Sequence, residues 1–71
     1  MNGFILAYKQ CKKEAADWSR NRTARSVAEL EAQAEKLKEP PYIQIVAIYT
    51  LDAWHFGRPA GEPMWKWERE G

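Results

Sequence analysis

Seventy-one residues make one domain with no room for a second core. A chain of this size buries only roughly 60% of the surface its unfolded form exposes, so it needs an efficient core, a partner, or both. Cys11 and His55 are its single cysteine and single histidine, which excludes an internal disulfide and leaves no spaced Cys/His set for a structural metal. A formal charge of +1 with 45% hydrophobic residues argues against both disorder and a general nucleic-acid coat.

The charge is uneven along the chain. Residues 1–25 carry six bases (Lys9, Lys12, Lys13, Arg20, Arg22, Arg25) against Glu14 and Asp17. Residues 26–39 carry four acids (Glu29, Glu31, Glu35, Glu39) against Lys36 and Lys38. The basic character is therefore a local patch. No run approaches the roughly 18 apolar residues of a membrane span, and the apolar start at Met1–Ala7 is too short for a secretory signal. The expectation is a cytoplasmic protein, with which the unpaired Cys11 thiol agrees.

In chain order, Phe4-Ile5-Leu6-Ala7-Tyr8 is a short apolar run with aromatic and β-branched members and reads as a covered strand. Alternation places Phe4, Leu6 and Tyr8 on one face and Ile5, Ala7, Lys9 and Cys11 on the other. Lys12 to Ala16 favour helix by propensity, while Trp18 to Thr23 alternates large and small side chains as an exposed strand does. The preferred reading makes Trp18–Thr23 the hairpin partner of the first strand; a basic helical turn followed by loop is the alternative.

Ser26 to Lys38 is the clearest element. Ser26 and Glu29 have the spacing of a capping box, and Val27, Leu30, Ala34 and Leu37 recur at three- and four-residue steps to give one apolar stripe. Early glutamates and late lysines suit the helix dipole, and Pro40-Pro41 closes the element. Tyr42 to Leu51 reads as the core strand. Alternation puts Ile43, Ile45, Ala47, Tyr49 and Leu51 toward the helix. Residues 57–63 hold two glycines and two prolines, so Ala53–Phe56 and Met64–Glu68 are expected to pair across them. The fold class that results is α+β: a small antiparallel sheet of three to four strands, β(β)αββ, with one amphipathic helix on one face.

No catalytic centre, cofactor site or metal site emerges from the residues. Nucleophilic use of Cys11 would require a neighbouring base, and nothing in the sequence brings His55 to it. Asp52, Glu62 and Glu68 show no spacing that pairs carboxylates for acid–base work. Gly57-Arg58-Pro59-Ala60-Gly61 lacks the phosphate-loop pattern, and its proline removes a backbone donor that such a loop uses.

Binding is better represented. Trp54, Phe56, Trp65 and Trp67 fall within fourteen residues; they form either the second half of the core or an exposed protein-binding hot spot with Arg58 and Arg69 as its polar rim. Trp18, Arg20 and Arg22 fall on one face of a strand by alternation. With Arg25 they make a patch suited to an acidic protein surface, to phosphates and bases, or simply to guarding a sheet edge. Taken as a whole, from the Phe4–Tyr8 strand through the Ser26–Lys38 helix to the tryptophan-rich end, the chain resembles the small accessory proteins of bacteriophages and prophages, including anti-CRISPR proteins. The resemblance implies a compact domain without an active site that blocks a working surface of a host defence or nucleic-acid-handling complex. A protein partner is thus the leading expectation, a direct nucleic-acid contact through the arginines the second, and an orphan structural module or self-associating dimer the third.

Overall fold

A computed structural model describes residues 3–11 and 18–70. The Lys12–Ala16 helix propensity noted above lies outside the described residues. Strand β1 (Phe4–Gln10) is followed by β2 (Trp18–Ala24), helix α1 (Val27–Leu37), β3 (Ile43–Thr50), a 3₁₀ turn at Leu51–Ala53, two short strands β4 (Trp54–His55) and β5 (Arg58–Pro59), and β6 (Trp65–Glu68). The main sheet has four strands in the order β2-β1-β3-β6, all neighbours antiparallel, and β4 and β5 form a separate two-stranded hairpin.

The helix starts and ends where its residues dictate. Ser26 Oγ accepts from Glu29 N–H at 3.3 Å, and Glu29 Oε2 accepts from Ser26 N–H at 3.1 Å, so two otherwise orphaned donors are satisfied reciprocally. The same carboxylate also takes the Arg25 N–H at 3.1 Å. Leu30 and Ala34 are fully buried, with Val27 and Leu37 packed around them, as the stripe predicts.

One core lies between helix and sheet, built from Leu6, Leu30, Ala34, Ile43, Val46 and Ile48, with Phe4, Tyr8, Trp65 and Trp67 at its margin. Contrary to the expectation that the chain has no room for a second core, a smaller one lies within the same domain on the opposite face of the sheet, where Ile5, Ala47 and Tyr49 are covered by Trp18, Leu51, Ala53 and Trp54.

The core strand corrects the simple alternation. Lys9 sits opposite Ile45 while Gln10 sits opposite Ile43, so Gln44 is an extra residue that reverses the faces. Ile43 keeps its expected place toward the helix, but beyond the bulge Val46 and Ile48 occupy that face. Ala47, Tyr49 and Leu51 belong to the second core. Gln44 is anchored in the bulge by Cys11 Sγ at 3.2 Å and by its own Nε2 donation to Arg69 O at 2.9 Å.

The expected hairpin is also rearranged. Trp65–Glu68 pairs with β3, placing Trp65 beside Ile48 and Trp67 beside Val46. Trp54 and His55 pair with Pro59 and Arg58 instead. The turn between them is two residues long, Phe56 at φ 53° and Gly57 at φ 78°, the two positive angles of a type I′ turn whose twist suits a tight hairpin.

Candidate functional site

The tryptophans are divided between the two faces of the sheet. Trp65 and Trp67 lie against the helix-side core, where Lys38 Nζ stands 5.2 Å and 5.9 Å from their ring centroids and the Arg69 guanidinium 5.0 Å from Trp67. On the other face, Trp18, Tyr49 and Trp54 meet at centroid distances of 6.1, 6.3 and 6.2 Å, Trp18 being edge-on to both others. The two perpendicular contacts of Trp18 are of the kind that the ring quadrupole favours. All four tryptophans are partly buried in one core or the other. The indole N–H of Trp54 is buried with no acceptor among the described residues, and burial raises the Tyr49 hydroxyl above its ordinary pKa of 10.0.

Arg69 is a structural residue rather than a rim. Its Nε donates to Ile43 O at 2.9 Å, and its Nη2 donates to Lys38 O at 2.8 Å and to Pro40 O at 2.9 Å. One planar fork thereby ties the end of α1, the Pro40-Pro41 turn and the start of β3 to the strand that ends the sheet.

The exposed features are of two kinds. First, β2 is an edge strand whose residues Arg20, Asn21, Arg22 and Thr23 are all exposed. Arg22 lies opposite Leu6 and Arg20 opposite Ala7, with Asn21 as an extra residue between them. The alternation that was expected to hold Trp18, Arg20 and Arg22 on one face is broken by this bulge: Arg20 stays with Trp18 on the side of the second core, and Arg22 is turned to the helix side. Ile5 and residues 20–23 border a shallow, open depression of about 300 Å³. Arg25 follows just past the strand, exposed, beside the Glu29 carboxylate. None of Arg20, Arg22, Arg25 and Arg58 makes an ion pair among the described residues; the two that occur are Glu35–Lys38 and Lys66–Glu68.

Second, Phe56 at the tip of the β4–β5 hairpin is fully exposed, flanked by exposed His55 and Arg58. A phenylalanine at positive φ, in a turn that favours Asn-Gly, is a costly choice for folding alone. The sequence groups Phe56 with Trp54, Trp65 and Trp67, either as core or as an exposed hot spot. The pairing of Trp54-His55 with Arg58-Pro59 was the missing signal, since a two-residue Phe-Gly turn would have put the ring in solvent.

The fold holds the single cysteine and the single histidine apart. Cys11 sits beside Pro41 and Gln44 at the start of β3, whereas His55 follows its far end, and the eight residues of β3 span roughly 25 Å. Among the described residues no three His, Cys, Asp or Glu side chains cluster as a metal site requires. No helix among them is long and apolar enough to cross a membrane. Comparison with protein-family models, with curated proteins and with solved structures gave no match.

Proposed function

We propose that this domain acts by binding a protein partner, as a non-catalytic inhibitor or adaptor working in the cytoplasm. The observation that carries the reading is the pair Arg20 and Arg22, exposed on an edge strand with no acid partner among the described residues. A guanidinium with no acid partner among the described residues is available to a carboxylate of another molecule, and its five donors give that contact geometric selectivity. Phe56, held in solvent against its conformational preference, supports the same reading as an apolar anchor of the kind concentrated at binding hot spots. The likeness to phage accessory proteins of the anti-CRISPR type makes a host defence or nucleic-acid-handling complex the proposed target class.

Direct nucleic-acid binding is the weaker reading. Base stacking would require a free aromatic beside Arg20 and Arg22, and Trp18 is engaged edge-on by Tyr49 and Trp54. The arginines also diverge to the two faces of the sheet, where a phosphate backbone would draw them together. Titration against short single- and double-stranded DNA and RNA at two salt concentrations tests this choice. The proposal expects weak binding that vanishes at the higher salt, because so few arginines release few counterions. Sub-micromolar binding that survives the higher salt and is lost in an Arg20→Glu/Arg22→Glu variant would replace it with the nucleic-acid reading.

A further inference from the structure

The outer edge of β2 has the features of a strand prepared to receive another. It is the terminal strand of the sheet. Among the described residues its backbone joins only β1, with no turn or loop backbone hydrogen bond made by residues 18–24. Four successive residues, Arg20 to Thr23, are exposed, so about half of the strand is accessible to another chain. Edge strands commonly carry lysine and bulges that discourage pairing. Here the charges are arginines, and the bulge at Asn21 has a second consequence: it sends Arg20 and Arg22 to opposite faces of the sheet.

That divergence selects the occupant. Successive side chains of an extended strand point to alternate faces, so an added strand with neighbouring acidic residues offers one carboxylate to Arg20 above the sheet and another to Arg22 below it. A second copy of this chain is a poor occupant, because pairing β2 with its own twin would bring the arginines of both strands onto one ladder with no acid to offset them, and like charges so placed are destabilising. Resting on the protein-binding reading above, we infer that the outer edge of β2 docks an extended acidic segment of the partner, which joins the sheet as a further strand. Backbone hydrogen bonds supply the attachment, and Arg20 and Arg22 read the acids on the two faces. The depression bordered by Ile5 and residues 20–23 receives one side chain of that segment.

The probe is an end-capped peptide of about ten residues, built of valine, threonine and glutamate with adjacent glutamates at its centre. It is titrated into the full ¹⁵N-labelled chain while backbone amide shifts and amide hydrogen exchange are followed. The expected result is a saturable shift centred on Arg20–Thr23 with roughly tenfold slower exchange of the outward amides of β2. It should disappear with the lysine counterpart of the peptide, with a peptide N-methylated at alternate residues, and in the Arg20→Glu/Arg22→Glu chain, whose fold is checked by circular dichroism. No shift on β2 up to about 1 mM peptide overturns the inference and leaves the arginines as guards of the edge. Equal binding of the N-methylated peptide also overturns it, reducing the contact to ion pairing without strand addition. Either failure leaves the protein-binding reading standing. A ten-nucleotide single strand that moves the same amides at lower concentration than the peptide overturns both.

Discussion

Replacing Arg69 with alanine should be among the most destabilising single changes outside the apolar core. The side chain makes three hydrogen bonds to backbone carbonyls of Lys38, Pro40 and Ile43, all between 2.8 and 2.9 Å. A hydrogen bond to a charged group contributes about 1.5–3 kcal/mol, so a simple sum would exceed 4 kcal/mol. The group is only partly buried and the three bonds share one side chain, so water recovers part of the loss and the contributions do not add. A net cost of about 2–3 kcal/mol follows. Against a total stability of about 4–10 kcal/mol for a domain of this length, that is a large share, and it corresponds to a fall in Tm of roughly 10–20 °C. Arg69→Lys keeps the charge over Trp67 but lacks the planar fork, and should recover less than half of the loss. Urea denaturation followed by tryptophan fluorescence, with the slope held common across the series, measures the effect as a shift in midpoint. If Arg69→Ala unfolds at the wild-type midpoint, the side chain does not lock the turn between α1 and β3, and its role at the surface would have to be reopened.

Three further outcomes are expected. Leu30→Ala should cost about 2–5 kcal/mol because a fully buried side chain leaves a cavity; an unchanged melt would show that the buried helix face is wrongly assigned. Phe56→Asn should stabilise the domain by about 0.5–1 kcal/mol, since asparagine tolerates the left-handed conformation better than phenylalanine, while weakening partner binding; a drop in stability would mean the ring packs in the fold. Burial lifts Tyr49 above 10.0, so the folded state holds its phenolic proton longer than the unfolded chain does. Its contribution is intact below pH 10.0 and falls as pH rises toward the higher folded value. Alkaline titration of tyrosine absorbance should show a late component that Tyr49→Phe removes, and a titration identical in that variant contradicts the placement.

The parts legible in the sequence are those fixed by local rules. The capping box, the Val27–Leu37 stripe and the two-proline stop define α1 without tertiary information, and the α+β class follows from one such helix among strand-like runs. The faces of β3 were not legible, because both are apolar and a strand buried on two sides carries little alternation to read. The bulges at Gln44 and Asn21 then change the face on which later residues fall. Pairing of Trp65–Glu68 with β3 is a long-range choice that residues 53–56 could equally have claimed from pattern alone. Arg69 illustrates the same limit at the level of a side chain: its three acceptors are backbone carbonyls near Pro40, a context that sequence spacing does not reveal. The exposure of Arg20 and Arg22 was readable from their polarity, but their separation onto two faces depends on a single inserted residue.

Arg20 and Arg22 on the β2 edge are the residues through which the domain is proposed to engage a protein. The direct measurement is capture from a nuclease-digested bacterial lysate on the immobilised domain, comparing wild type, Arg20→Glu/Arg22→Glu, and Lys36→Glu as a charge change on the helix. A specific protein should be retained after digestion, lost with the double variant and kept with Lys36→Glu. Retention that digestion abolishes, or that survives the double arginine change, would contradict that role.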